Sequence, residues 1–119
     1  MIVDLNVTIV QLLMKILGID TKIVWSSKLG INKSGTEKIL GIIEALGADQ
    51  YLSGSGPGST KYVYDKEELF KERGIQIKYQ KFEQPIYQQL FGDFIPHLSI
   101  CDMLFNIGPE KTALALNVS

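Results

Sequence analysis

The residues that could do chemistry gather in three short stretches. The richest runs from Gln50 to Lys61 and reads Gln-Tyr-Leu-Ser-Gly-Ser-Gly-Pro-Gly-Ser-Thr-Lys. Consecutive backbone N–H groups in such a loop can cradle an anion, and Lys61 would add a point charge at its end. Ser53, Gly54, Gly56, Lys61 and the adjacent Tyr62 are therefore candidate ligand-binding residues. The glycine spacing fits neither a P-loop nor a dinucleotide fingerprint, and the pattern predicts no helix opening directly after the glycines, as both motifs require. The competing reading is a tightly turned surface loop, for which Gly and Ser are ordinary choices.

The second stretch is Ser26-Ser27-Lys28, directly after a β-rich segment. Ser26 and Ser27 lie where an open α/β sheet offers polar groups to a ligand, although a simple strand-to-loop transition uses the same residues. The third contains His97, the sole histidine, with Asp102 five positions on and Asp93 four positions back, either of which could meet it in space. A histidine there could serve as acid or base near neutral pH, so His97 and Asp102 are the catalytic candidates. Against this stands a helix-entry histidine with a structural hydrogen bond, and an Asp102 that accepts backbone N–H groups from the Phe82–Pro96 segment. Cys101 occupies an apolar helix position, where burial rather than reactivity is expected. One cysteine and one histidine cannot supply a four-ligand zinc site within the chain unless carboxylates join them, so no metal site is expected, and the residues specify no cofactor. Tyr51, Tyr62 and Tyr64 could stack on a base or sugar, or simply pack.

Composition narrows the class. The chain has 119 residues and a formal net charge of −1, which suits one α/β domain over 1–119 and argues against a general nucleic-acid binder. A single cysteine excludes an internal disulfide framework and points to a reducing compartment, hence a cytoplasmic protein. The apolar opening lacks a basic n-region and is interrupted by Asp4, Asn6, Gln11 and Lys15, so neither a signal peptide nor a membrane span is expected.

Positioning elements follow from periodicity. Asp4 to Leu17 reads as a helix so nearly all-round apolar that it should be covered on most sides; the cover would be a partner chain, such as a second copy, or sequence outside this chain. A second helix carries Ile39, Ile42, Ile43 and Leu46, and a third begins at Asp65, with Asp65 and Glu68 spaced as a capping box. Gly18, Gly47 and Gly74 stop the three helices as C′ residues. Thr21–Trp25, Asp49–Ser53 and Ile75–Tyr79 read as strands, with a brief extended piece at Tyr62–Tyr64. Strands joined through helices predict a small, mostly parallel three-stranded sheet with flanking helices and Rossmann-like layering. Phe82–Pro96 reads as an ordered loop pinned by aromatics, with one helical turn at Ile86–Phe91. Leu98–Ile107 reads as a last helix with Ser99 as its cap, and Gly108-Pro109 reads as its stop.

Four pieces resemble the WbqC-like family: Leu17-Gly-Ile-Asp-Thr-Lys-Ile-Val-Trp-Ser-Ser27, Ala45-Leu-Gly-Ala-Asp-Gln-Tyr-Leu-Ser-Gly54, Gly74-Ile-Gln-Ile77, and Phe94-Ile-Pro-His-Leu-Ser-Ile-Cys-Asp-Met-Leu-Phe-Asn-Ile-Gly-Pro-Glu110. The resemblance places the chain in the later, C-terminal part of a longer family member, without its N-terminal segment. It implies an enzyme or enzyme fragment of bacterial O-antigen or other surface-polysaccharide biosynthesis, with a nucleotide-linked sugar or related metabolite as ligand. A non-catalytic interaction domain and a truncated remnant are the alternatives. The family motif positions kept here are Ser26, Ser27, Ser53, Gly54, Tyr62, His97, Ser99 and Asp102.

Overall fold

A computed structural model describes residues 2–118. The chain forms two compact units: residues 23–82 make one, and the segments before and after them make the other.

The unit of residues 23–82, the middle of the sequence and so called the central unit, has α2 (Gly35–Ala45) as its first α-helix; α1 (Ile2–Leu17) belongs to the other unit. Strand β1 (Gln50–Ser53), helix α3 (Pro57–Tyr62), helix α4 (Glu67–Glu72) and strand β2 (Gln76–Tyr79) follow in order. Single 3-10 turns lie at Ser26–Lys28 and Tyr64–Lys66. The two strands pair in parallel, Gln50 with Gln76 through Ser53 with Tyr79. Backbone bonds from Gln76 N to Asp49 O and from Gln80 N to Ser53 O, both 2.8 Å, extend the pairing at each end.

The sheet corrects the three-strand expectation. Among the described residues only β1 and β2 form a ladder, and Thr21–Trp25 has no regular structure, with Ile23 and Val24 exposed. Its β-branched residues suit a pleated surface, but that preference yields a strand only where a neighbouring strand supplies hydrogen bonds and burial. With two strands the sheet has no doubly wound, Rossmann-like layering; what holds is a parallel pair with helices in the connection. Ser26 and Ser27 accordingly follow an irregular stretch and form a 3-10 turn instead of a sheet rim.

Alternation along the strands decides which side packs. Tyr51 and Ser53 on β1, and Ile77 and Tyr79 on β2, turn inward, while Gln50, Leu52, Gln76 and Lys78 are exposed. The core joins Leu40 and Ile43 of α2 to Val63, Phe70 and Ile75. Leu40 replaces Leu46 in the expected apolar stripe: Leu46 is the C-cap of α2 and is exposed. Gly41 is explained by packing, because a Cβ there would lie 3.1 Å from Ile31 Cγ2. The capping box at Asp65 does not form; that residue lies in the 3-10 turn and Lys66 is the N-cap of α4.

Arg73, just past α4, ties that helix to α2. Its guanidinium donates to both carboxylate oxygens of Glu37 at 3.1 Å and to Glu44 Oε1 at 3.2 Å. The hydrogen bond from Arg73, aided by its charge and that of Lys33, holds the Glu37 carboxyl below its usual range. A depressed folded-state pKa stabilises above the ordinary carboxylate range and stops doing so as pH falls through the folded value. Arg73→Ala should therefore lower the urea midpoint at pH 7, with the gap to wild type closing as the solution is acidified below that range. An equal gap in strong acid would show that Arg73 acts by packing.

The other unit pairs α1 with α5 (Ile100–Ala115). Leu17, Tyr87, Met103 and Thr112 are its buried residues. Among the residues of α1, Leu17 alone is buried, so the expected all-round cover is absent within the described residues; Ile2, Leu5 and Leu12 are each more than half exposed. The Gly108-Pro109 pair interrupts α5 without ending it: Gly108 leaves helical geometry at φ 79 and ψ 168, and the helix resumes behind Pro109 to Ala115. Proline suits a first helical turn because its missing N–H would be unpaired there anyway. Thr112 Oγ1, fully buried, donates to Gly108 O at 2.7 Å and closes the break.

Candidate functional site

The carboxyl ends of parallel strands are the usual place for ligands in α/β folds. Here both ends meet at Ser53 and Tyr79, which are register partners. Ser53 is 3% exposed. Its Oγ lies 2.6 Å from Ser59 Oγ, a bond in which either hydroxyl can donate, and it also donates to Gly54 O at 3.2 Å. That pair stitches the end of β1 to the first turn of α3.

The segment after the glycines is the main surprise of the site. A helix does open there: Gly56 is the N-cap and Pro57 the first residue of α3. Ser59 N and Thr60 N donate to Gly56 O at 2.9 and 3.2 Å. The signal was Pro57 itself, whose fixed φ is already helical, and it was masked by the glycines on both sides. The same helix removes the extended piece expected at Tyr62–Tyr64. Thr36 Oγ1 donates to Tyr62 O at 2.7 Å, so α2 satisfies a carbonyl at the end of α3. Lys61 Nζ sits 5.0 Å from the Tyr62 ring centroid.

Two adjoining pockets flank this turn. One, of about 270 Å³, is lined by Ser55, Ser59, Thr60, Tyr64 and Tyr79. The other, of about 580 Å³, is lined by Ser55, Pro57, Thr60, Lys61 and Asp65. Tyr64 and Tyr79 form a wall, with ring centroids 6.2 Å apart and planes at 57°. Tyr79 OH donates to Glu67 Oε1 at 2.5 Å; burial first, and then that bond, push its phenol up to about 12, so it stays protonated at neutral pH. Tyr79 was not among the expected site residues. The clue was its place at the end of the second strand, opposite Ser53.

The expected residues thus divide. Ser53 ends β1, Gly54 and Gly56 lie in the connection, and Lys61 and Tyr62 close α3; of these five, Lys61 alone lines either of the two pockets. Ser26 and Ser27 have no strand end to place them. His97 and Asp102 belong to the other unit and make no hydrogen bond or ion pair with each other among the described residues. Asp102 Oδ2 accepts from Tyr87 OH at 2.6 Å and from Gln89 Nε2 at 3.4 Å. The bond to Asp102, with burial, raises the Tyr87 phenol above its ordinary range. His97 adopts a left-handed φ of 62 and donates its backbone N–H to Gln84 Oε1 at 2.6 Å.

The Phe82–Pro96 segment contains no helical turn, contrary to the turn expected at Ile86–Phe91. Tyr87 meets Phe94 edge to face at 5.3 Å. Gln89 works like a strand neighbour, donating to Ile95 O at 2.9 Å and accepting from Ile95 N at 2.8 Å. Ser99 caps α5, accepting from Cys101 N at 3.2 Å, and Cys101 is partly exposed. Among the described residues no group of three or more His, Cys, Asp or Glu side chains could hold a metal, and no helix is long and apolar enough to cross a membrane.

An uncharacterized protein of Mycobacterium tuberculosis is 33% identical over 109 residues, covering 89% of this chain and 45% of that protein. The chain therefore spans less than half the length of that curated relative. No solved structure matches this chain. The WbqC-like protein family matches residues 1–114. That span corrects the expectation of a match confined to a later part of the family pattern with its N-terminal portion missing: the alignment starts at the first residue. By that match, the chain belongs to the WbqC-like protein family.

Proposed function

We propose that this chain is an enzyme, or part of one, in bacterial surface-polysaccharide biosynthesis, and that it binds a nucleotide-linked sugar or related metabolite at the turn between β1 and α3. The resemblance supplies the biological setting. One observation supports the place. Gly54, Gly56 and Gly58 lie outside the left-handed φ region, and a Cβ at any of them would meet nothing within 4 Å. Neither backbone conformation nor neighbouring atoms of the chain demand glycine there. Space for something outside the chain would.

Two measurements test the reading. A panel of nucleotide sugars should shift the amide signals of Ser53 to Lys61, and silence across the panel would sink it. Gly54→Ala and Gly58→Ala should leave folding intact or stabilise it by about 0.4–1 kcal/mol, because alanine restricts the unfolded chain and neither position is the N-cap of α3. The same variants should weaken the ligand-induced shifts. If both variants instead lower the thermal midpoint, the glycines serve the fold.

A second reading is favoured by α1. Its exposed Ile2, Leu5 and Leu12 suit a non-catalytic interaction domain that self-associates. Light scattering from micromolar to millimolar concentration separates the two: a monomer throughout removes this second reading and leaves the first untouched.

A further inference from the structure

We propose that the pocket of about 270 Å³ takes the neutral sugar ring of the ligand and not its phosphates; this rests on the nucleotide-sugar reading above and assigns an orientation to it. Pockets for drug-sized ligands run to roughly 300–1,000 Å³. At about 270 Å³, this one suits a single ring and not a whole nucleotide-linked sugar.

The chemistry of the lining decides which ring. All five residues carry a hydroxyl: Ser55, Ser59, Thr60, Tyr64 and Tyr79. A hydroxyl can donate and accept, which matches a polyol whose own groups do both. The Ser55 and Thr60 hydroxyls have no hydrogen bond among the described residues. Ser59 is engaged once, with Ser53, and keeps further capacity. Tyr79 spends its proton on Glu67 and so presents only an acceptor. Two phenol faces supply the apolar surface on which the C–H side of a sugar can lie, since a ring face is negative and a polarised C–H is positive. Tyr64 is 63% exposed, so a ligand would cover it.

The same lining argues against phosphate. It contains no cationic side chain, and Tyr79 brings the Glu67 carboxylate to its edge. The one cationic side chain lining either pocket, Lys61, belongs to the adjoining one, which shares Ser55 and Thr60. A ligand bridging the two would place its ring against the tyrosines and its charged end toward Lys61, where Asp65 also stands.

The test follows the ring signals of Tyr64 and Tyr79 in tyrosine-labelled protein by NMR. Three probes are compared: nucleotide sugars, the matching nucleoside diphosphates, and neutral methyl glycosides. Nucleotide sugars and methyl glycosides should move both rings, and nucleoside diphosphates should not. Tyr64→Ala should lower nucleotide-sugar affinity about tenfold or more while leaving nucleoside diphosphate affinity unchanged. Thr60→Val, which keeps the size and removes the hydroxyl, should weaken the same probes. If nucleotide sugars shift the Ser53–Lys61 amides but leave both rings still, the orientation is overturned and the functional reading survives. If methyl glycosides move the rings while no nucleotide binds, the sugar pocket stands and the nucleotide-sugar reading falls. If nucleoside diphosphates alone move the rings, or if no probe moves them, the inference is wrong.

Discussion

Phe70→Ala is expected to cost about 3–5 kcal/mol, the range for removing a large aromatic from a close-packed core. Phe70 is fully buried and stacks on Tyr51 with centroids 5.8 Å apart and planes at 23°. Leu40, Ile43, Val63 and Ile75 complete its surroundings. It thus touches α2, β1 and the residue that leads into β2. A unit of this size has little reserve by the ordinary scale of about 0.05–0.15 kcal/mol per residue, so the variant should be largely unfolded in the central unit at room temperature. Urea denaturation followed by circular dichroism measures the loss. Phe70→Leu, which keeps most of the volume, should cost far less, under about 1.5 kcal/mol if the neighbours can repack. The functional consequence is direct. Parallel pairing of β1 with β2 is what brings Ser53 beside Tyr79, and that pairing rests on this side chain. A Phe70→Ala protein that loses less than about 1 kcal/mol would place the core elsewhere.

How far the sequence reveals this arrangement depends on whether a feature is local. The three glycine stops are local, and all were legible. Gly18, Gly47 and Gly74 have φ of 72, 63 and 70, and each is followed by the N–H that closes a long backward bond: Ile19 to Met14 O, Ala48 to Ile43 O and Ile75 to Phe70 O. Glycine adopts that conformation without the steric penalty a Cβ brings. A fourth stop of the same kind, Asn117 with φ 53 and Val118 N bonded to Ala113 O, was hidden because asparagine has other common uses. The Thr21–Trp25 strand failed for the opposite reason. Its residues suit a strand, but a strand needs a partner, and pairing is not written in five residues.

The site divides along the same line. Ser53 and Lys61 stand out in sequence because a glycine-rich loop is visible as composition. Of the pocket wall, Tyr64 was visible as a stacking candidate, but Tyr79 was not, because it joins the wall through strand register. Within 83–118, glutamines were visible between the aromatics, but their role was not. Gln89 clasps Ile95 in both directions, and Gln84 receives the His97 N–H. These are tertiary bonds formed by amides whose sequence spacing carries no pattern.

Asp102→Ala should loosen the 83–99 segment, with amide exchange there accelerating roughly ten- to hundredfold, the loss expected when a hydrogen-bonded charge is removed. The carboxylate is the point where Tyr87 and Gln89 converge, and Tyr87 in turn holds Phe94. Removing it leaves a buried phenol without its acceptor and frees the Gln89 amide on one side. Tyr87→Phe deletes one donor while keeping the ring, so it should give a smaller acceleration confined to the residues nearest Tyr87. The pair also predicts a pH response. The Tyr87 phenol is held above its ordinary range, so its bond stabilises fully below the unfolded phenol value near 10 and is lost as pH rises through the folded value. Protection of the segment should therefore fall in alkali in wild type, and much less so in Tyr87→Phe. This separates two roles for the carboxylate. A residue that anchors the segment moves exchange in 83–99 whether or not a ligand is present. If Asp102→Ala leaves that exchange unchanged, the carboxylate is not the anchor, and its pairing with Tyr87 would have to serve chemistry instead.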